Sequence, residues 1–167
     1  IPPTPTPGGS LIQNGGFEQG SQGWQENSAG GYELVDSTNP HSGSYSAFLC
    51  GYAGCDDSIG QSFTVPNSAS SLSISYWWYG DTNQTTHSCV DTFTVTVLDS
   101  TGNTIGQVQA ACNADASRTW QQVTFDASSL LASYAGQDVT LVFSAQSAST
   151  SSKTSAFYVD DVAVKAQ

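Results

Sequence analysis

Methionine is absent from the chain, and lysine and arginine number only three. No stretch of 18 or more apolar residues occurs, so no spanning helix is expected. The chain is therefore expected to begin after any signal sequence, inside a longer parent protein. The three cations, Arg118, Lys153 and Lys165, stand against fourteen carboxylates, for a formal net charge of -11. Affinity for phosphate backbones or anionic lipid depends on neutralising charge with Lys and Arg, so nucleic acid and membrane are not expected partners. Catalytic signatures are missing as well. His41 and His87 are the two histidines, neither lies in His-Glu-x-x-His, and no Gly-x-Ser-x-Gly occurs. Asp56 and Asp57 are adjacent on one loop, and adjacent carboxylates do not hold the separation that glycoside hydrolysis needs. The chain is not expected to be an enzyme.

Four cysteines are present, Cys50, Cys55, Cys89 and Cys112, without Cys-x-x-Cys spacing. Disulfides are the expected use, and four thiols allow three pairings. The favoured one joins Cys50 to Cys55 as a local clamp and Cys89 to Cys112 between strand ends, the longer loop contributing roughly 3 kcal/mol. Such bonds imply an oxidising compartment, outside the cell or in a periplasm, and a secreted, extracellular protein is the expectation.

Residues 1–10 alternate Pro and Thr and then turn to Gly, the composition of an extended linker. Residues 11–167 read as one domain of short strands between Gly, Ser, Asn and Asp clusters. Alternation is plain at Leu72, Ile74, Tyr76 and Trp78, at Phe93, Val95 and Val97, at Val139, Leu141 and Phe143, and at Phe157 and Val159. Further strands are expected near Tyr32–Val35, Tyr45–Leu49, Ile59–Val65, Thr104–Ala110 and Thr119–Phe125. One helical turn is expected over Ser128–Tyr134, ended by Gly136. The pattern predicts an all-β, two-sheet antiparallel β-sandwich of the jelly-roll type.

Three segments carry a family resemblance. They are Asn14-Gly15-Gly16-Phe17-Glu18 with Gly23-Trp24, His41-Ser42-Gly43-Ser44-Tyr45-Ser46-Ala47, and Phe157-Tyr158-Val159-Asp160-Asp161-Val162. In order and spacing the chain resembles jelly-roll carbohydrate-binding modules of families 4, 16 and 22. Over Cys50–Asp57 and Ser71–Asp81 it is also similar to accessory domains of secreted bacterial kumamolisin-type peptidases. The resemblance implies a structural calcium ion tying the first strand to the last. Glu18 and Asp160 would supply charged oxygens, His41 and Ser44 backbone carbonyls, and Asp161 is an alternative to Asp160. A second acidic group, Asp56, Asp57, Asp81 and Asp91, is read as turn-forming aspartates before any second cation site.

The alternation that sends Leu72, Ile74, Tyr76 and Trp78 to the core leaves Trp77 and Tyr79 on the opposite face among serines. An aromatic platform with a polar rim suits the C–H face and hydroxyl edge of a sugar. Gln107, Gln109, Gln121 and Thr124 are the expected rim, while Trp24 and Trp120 are expected to be structural. The expected partner is a neutral polysaccharide or oligosaccharide, bound by a monomer tethered to a secreted catalytic domain. The rival expectation is a structural or protein-binding accessory domain of a secreted peptidase, for which a loop covering Trp77 would speak.

Overall fold

The computed structural model describes residues 9–148 and 152–167. Ten strands follow one another: β1 (Gln25–Ser28), β2 (Val35–Asp36), β3 (Ser46–Cys50), β4 (Asp56–Thr64), β5 (Leu72–Thr82), β6 (Thr92–Leu98), β7 (Thr104–Cys112), β8 (Gln121–Asp126), β9 (Asp138–Gln146) and β10 (Ser155–Ala166). One short helix, α1 (Ser128–Leu131), continues into a 3-10 turn at Ala132–Tyr134, as the sequence predicted, and Gly136 adopts a positive φ just after it.

The strands form two five-stranded antiparallel sheets, here called front and back. The front sheet has the order β2-β3-β10-β5-β8, and the back sheet β1-β4-β9-β6-β7. This is the two-sheet jelly roll expected from the alternation. The inward residues named from sequence, among them Ile74, Tyr76, Phe93, Leu141 and Phe143, are fully buried between the sheets. Each such side chain contributes roughly 1.5–3 kcal/mol of transfer free energy. Trp78 stacks on Phe93, which stacks on Phe157, so aromatic rings from both sheets interlock. The β1 strand escaped the sequence reading because its residues, Gln-Glu-Asn-Ser, have no apolar member to alternate.

Ser10, the last residue of the expected linker, bridges Lys165 in β10, and its hydroxyl accepts the Val164 N–H. Residues 1–8 of that linker lie outside the described residues. From Leu11 to Trp24 the chain packs against β10 without forming a strand. The Val162 N–H donates to the Gly15 carbonyl at 2.9 Å. A Cβ at Gly15 would overlap the Val162 carbonyl oxygen, so only glycine permits this approach. Asn14 fixes the loop by donating to the Gly20 and Gln22 carbonyls while accepting from the Gln19 N–H.

Both expected disulfides, Cys50–Cys55 and Cys89–Cys112, are present, and no free cysteine remains among the described residues.

Candidate functional site

Pairing places Tyr158 opposite Tyr79, and Asp160 opposite Trp77, so these four side chains share the outer face of the front sheet. Phe48 pairs with Tyr158 from the other side, and Gln122 pairs with Trp77. The outer face therefore carries an aromatic row across three strands. Phe48 stacks on Tyr158 at 4.6 Å, and Tyr158 meets Tyr79 edge-on at 5.7 Å. Tyr79 in turn lies 5.6 Å from Trp120, just before β8.

The loop between β2 and β3 folds over one half of this face. The His41 ring stacks on Trp77 at 4.1 Å with an interplanar angle of 16°, and it meets Trp120 at 5.3 Å. Trp77 is thus on the face predicted, but it is roofed and does not present an open platform. Tyr79, Tyr158 and Phe48 occupy the half beyond the roof.

There the surface sinks into two depressions of about 250 Å³ each. Phe48 and Gly51 line both. The first also has Tyr158, Asp81, Thr82, Asn83 and Arg118. The second has Tyr32, Tyr52, Glu33, Asp36 and Asp57. Tyr32 and Tyr52 meet edge to face at 5.1 Å. The Arg118 Nε donates to Asp81 Oδ1 at 2.6 Å and its Nη2 donates to the Thr82 carbonyl, which fixes the guanidinium along one wall. Asp57 is buried and accepts from the Cys50 N–H and the Tyr52 hydroxyl, so the disulfide-clamped turn and its tyrosine are held at one position. Burial, with the charges of Asp36, Asp81 and Tyr79 behind it, pushes the Tyr158 phenol up to about 12. It remains a neutral hydroxyl across the physiological range.

The expected rim residues are placed elsewhere. Gln107 and Gln109 belong to β7 of the back sheet, where Gln107 pairs with Thr96 and Gln109 accepts the hydroxyl proton of buried Tyr76 at 2.7 Å. Gln121 pairs with Trp78, so its side chain leaves on the core side of β8, and it donates to the Ser117 hydroxyl. A one-residue error of register separates it from Gln122, the glutamine beside Trp77. Thr124 does share the outer face, opposite Ser75. Phe48, Tyr158, Tyr32, Tyr52 and Arg118 were not anticipated. The alternation had already put Phe157 and Val159 in the core, and the same rule carried one residue further turns Tyr158 to the outer face, where Phe48 and Tyr79 pack against it and leave it largely buried. Trp24, expected to be structural, is buried and donates its indole N–H to the Asn14 carbonyl.

The residues expected to hold calcium do meet. A β-bulge in β10 between Asp160 and Ala163 inserts one residue, with Asp161 at φ 50°. That turn aims both carboxylates at one loop. Asp160 Oδ2 accepts the His41 and Ser42 N–H groups at 2.8 and 3.1 Å. The Ser42 hydroxyl donates to Asp161 Oδ1, and His41 Nδ1 lies 2.6 Å from Asp161 Oδ2. Glu18 Oε1 accepts the Ser44 and Tyr45 N–H groups. Three carboxylates thus touch the loop of residues 41–45 without drawing into one cluster of ligand spacing among the described residues, where His41 is their one ion-pair partner. Burial raises the Asp160 carboxyl to about 6 against hydrogen bonds that favour its charge. Carboxylate oxygens are the donor type that calcium takes, but it is the N–H groups of His41 and Ser44, and not their carbonyls, that face Asp160 and Glu18 here.

The second acidic group is not brought together. Asp91 is buried and accepts from Gln84, Ala148 and Ser155, while Asp57 serves the clamped turn and Asp81 pairs with Arg118. Cys50, Cys55 and Asp57 cluster tightly, but the two sulfurs are bonded to each other and are not free as ligands.

No protein-family model matches the sequence, and no curated protein matches it either. Solved structures do match in fold. A family 61 carbohydrate-binding module in complex with β-1,4-galactotriose superposes with a TM-score of 0.65 at 15% identity, over 95% of this chain and 99% of that one. The CBM22-1 xylan-binding domain from Paenibacillus barcinonensis Xyn10C gives 0.55 at 20% identity, over 96% and 97%. A second module of family 16 gives 0.53 at 20% identity, over 92% and 98%.

Proposed function

We propose that this domain is a non-catalytic carbohydrate-binding module, and that the paired depressions around Phe48 and Tyr158, with Tyr79 packed edge-on against Tyr158, hold the sugar chain. The observation that carries the reading is the aromatic row on the open half of the front sheet, bordered by fixed polar groups. Sugar rings stack on aromatic faces by dispersion and exclusion of water, while Asn83, Thr82 and Arg118 are within the same wall to orient hydroxyls. Full-length likeness to domains solved with galactotriose, or described as xylan-binding, supports a saccharide as ligand. Carboxylates outnumber the single guanidinium around the site, which disfavours uronic and sulfated chains. The neutral polysaccharide expected from the sequence agrees with that. On this reading the module is secreted and holds its parent enzyme near a neutral polysaccharide.

The calcium expected from the resemblance belongs to the same proposal. Glu18 and Asp160, with Asp161 beside them and the carbonyls of His41 and Ser44, would hold the ion. It would supply positive charge to these carboxylates and lock the β2–β3 loop over Trp77.

A structural or protein-binding role is the second reading, and the His41 roof over Trp77 is what favours it. Titration of neutral tetrasaccharides into the wild type and into Tyr79→Ala and Phe48→Ala variants separates the two. The sugar reading expects dissociation constants on the order of 0.01–1 mM and at least a tenfold loss in Phe48→Ala. Absence of binding to every β-glucan, xylan, mannan and chitin oligomer leaves the structural role.

A further inference from the structure

The two depressions carry an uneven charge. Glu33, Asp36 and Asp57 face one, and Asp81 and Arg118 face the other. The guanidinium is already engaged by Asp81 at 2.6 Å and by the Thr82 carbonyl at 2.8 Å, so its charge is answered within its own wall. Asp57 is buried behind Tyr52 and directed to it. Asp36 and Asp81 are only partly buried, and they stand on opposite sides of the Phe48–Tyr158 stack, both close enough to act on the Tyr158 phenol. The floor between them is aromatic.

A neutral sugar satisfies the floor and leaves Asp36 to water and Asp81 to its pair with Arg118, in a groove where carboxylates still outnumber the one guanidinium. A ring that bears an ammonium group satisfies both, because its C–H face lies on the stack while the cation reaches a carboxylate and an aromatic face together. Resting on the saccharide reading above, we propose that the groove selects oligosaccharides of amino sugars with free amines, such as glucosamine oligomers, over neutral or N-acetylated chains of equal length.

The test is calorimetric titration of the full chain with glucosamine tetramer, its fully N-acetylated form and a glucose tetramer, at a mildly acidic pH where the amines are protonated. Exposed charge pairs each contribute a few-fold, so Asp36 and Asp81 together are expected to favour the amino tetramer by roughly tenfold. Raising the salt should narrow the gap. Asp36→Asn and Asp81→Asn should each reduce the preference, and the double variant should bring the amino tetramer to the level of the neutral one. A second double variant, Asp56→Asn with Asp138→Asn, removes the same charge from the outer face of the back sheet and should leave the preference intact. Melting temperatures confirm that each variant is folded.

Equal affinity for all three tetramers overturns the inference and leaves the saccharide reading standing. Loss of the preference in the Asp56/Asp138 variant also overturns it, since diffuse charge would then be the cause. The same holds if a lysine tetrapeptide binds as tightly as the amino tetramer. Binding of none of them overturns the inference, and the saccharide reading falls with it only if the xylan and mannan oligomers also fail to bind.

Discussion

Replacing Trp77 with alanine tests the roof. In an open platform the ring would matter to the ligand and little to the fold, whereas here it lies between the sheet and His41. A tryptophan buries up to about 250 Å². Taking roughly half of that for this half-buried ring, at about 25 cal/mol per Å², gives about 3 kcal/mol. The stacked ring pair adds roughly 0.5–1.5 kcal/mol. The expected loss is therefore about 3.5–4.5 kcal/mol, and for a domain of this size each kcal/mol shifts the melting temperature by roughly 2–4 °C. Scanning calorimetry should show a fall on the order of 7–18 °C. Saccharide affinity measured well below the transition should change little, since the groove lies beyond the roof. Tyr79→Ala is the companion, expected to weaken binding while costing less stability. A Trp77→Ala protein that melts like the wild type and no longer binds sugar would refute the reasoning, because the loop would then stand open in solution and Trp77 would be the platform.

Two further outcomes are expected. A ligand that binds only the folded state at a hundredfold excess over its dissociation constant adds about 2.7 kcal/mol, so chelating calcium should lower the melting temperature by roughly 5–11 °C. Glu18→Ala should abolish most of that shift, and identical melting with and without chelator would count against the ion. Gly15→Ala should cost about 1–3 kcal/mol, because the added methyl overlaps the Val162 carbonyl. Gly16→Ala is the control: its Cβ would meet only Asp161 Oδ1 at 3.6 Å, and thermal denaturation should hardly separate it from the wild type.

Much of the architecture was legible in the amino-acid order because a half-buried strand writes its two faces as alternate residues. Leu72 to Trp78, Phe93 to Val97 and Val139 to Phe143 lie in the core for that reason, and the same period put Trp77 and Tyr79 outside. The disulfides were legible from spacing and the want of metal motifs. The contact of Glu18, Asp160 and Asp161 with the loop of residues 41–45 was approached only through a resemblance in three separated segments, each too short to carry it alone.

What the order of residues did not contain was which strands neighbour one another, and where loops lie. Gln107 and Gln109 alternate as well as any rim residue, yet β7 pairs with β6 in the back sheet, on the far side of the core from the groove. Gln121 and Gln122 differ by one residue, and only the register against Trp77 and Trp78 decides which faces out. The roof is a contact between residues 36 apart in the chain, made by a loop with no periodicity of its own. The groove is likewise assembled from β3, β5, β10 and the approach to β8, so its aromatic floor exists in no single segment. Local alternation fixes the side to which each residue turns, because it is a property of the backbone. The residues it meets there are fixed by sheet order, register and loop packing, which the tertiary fold alone determines.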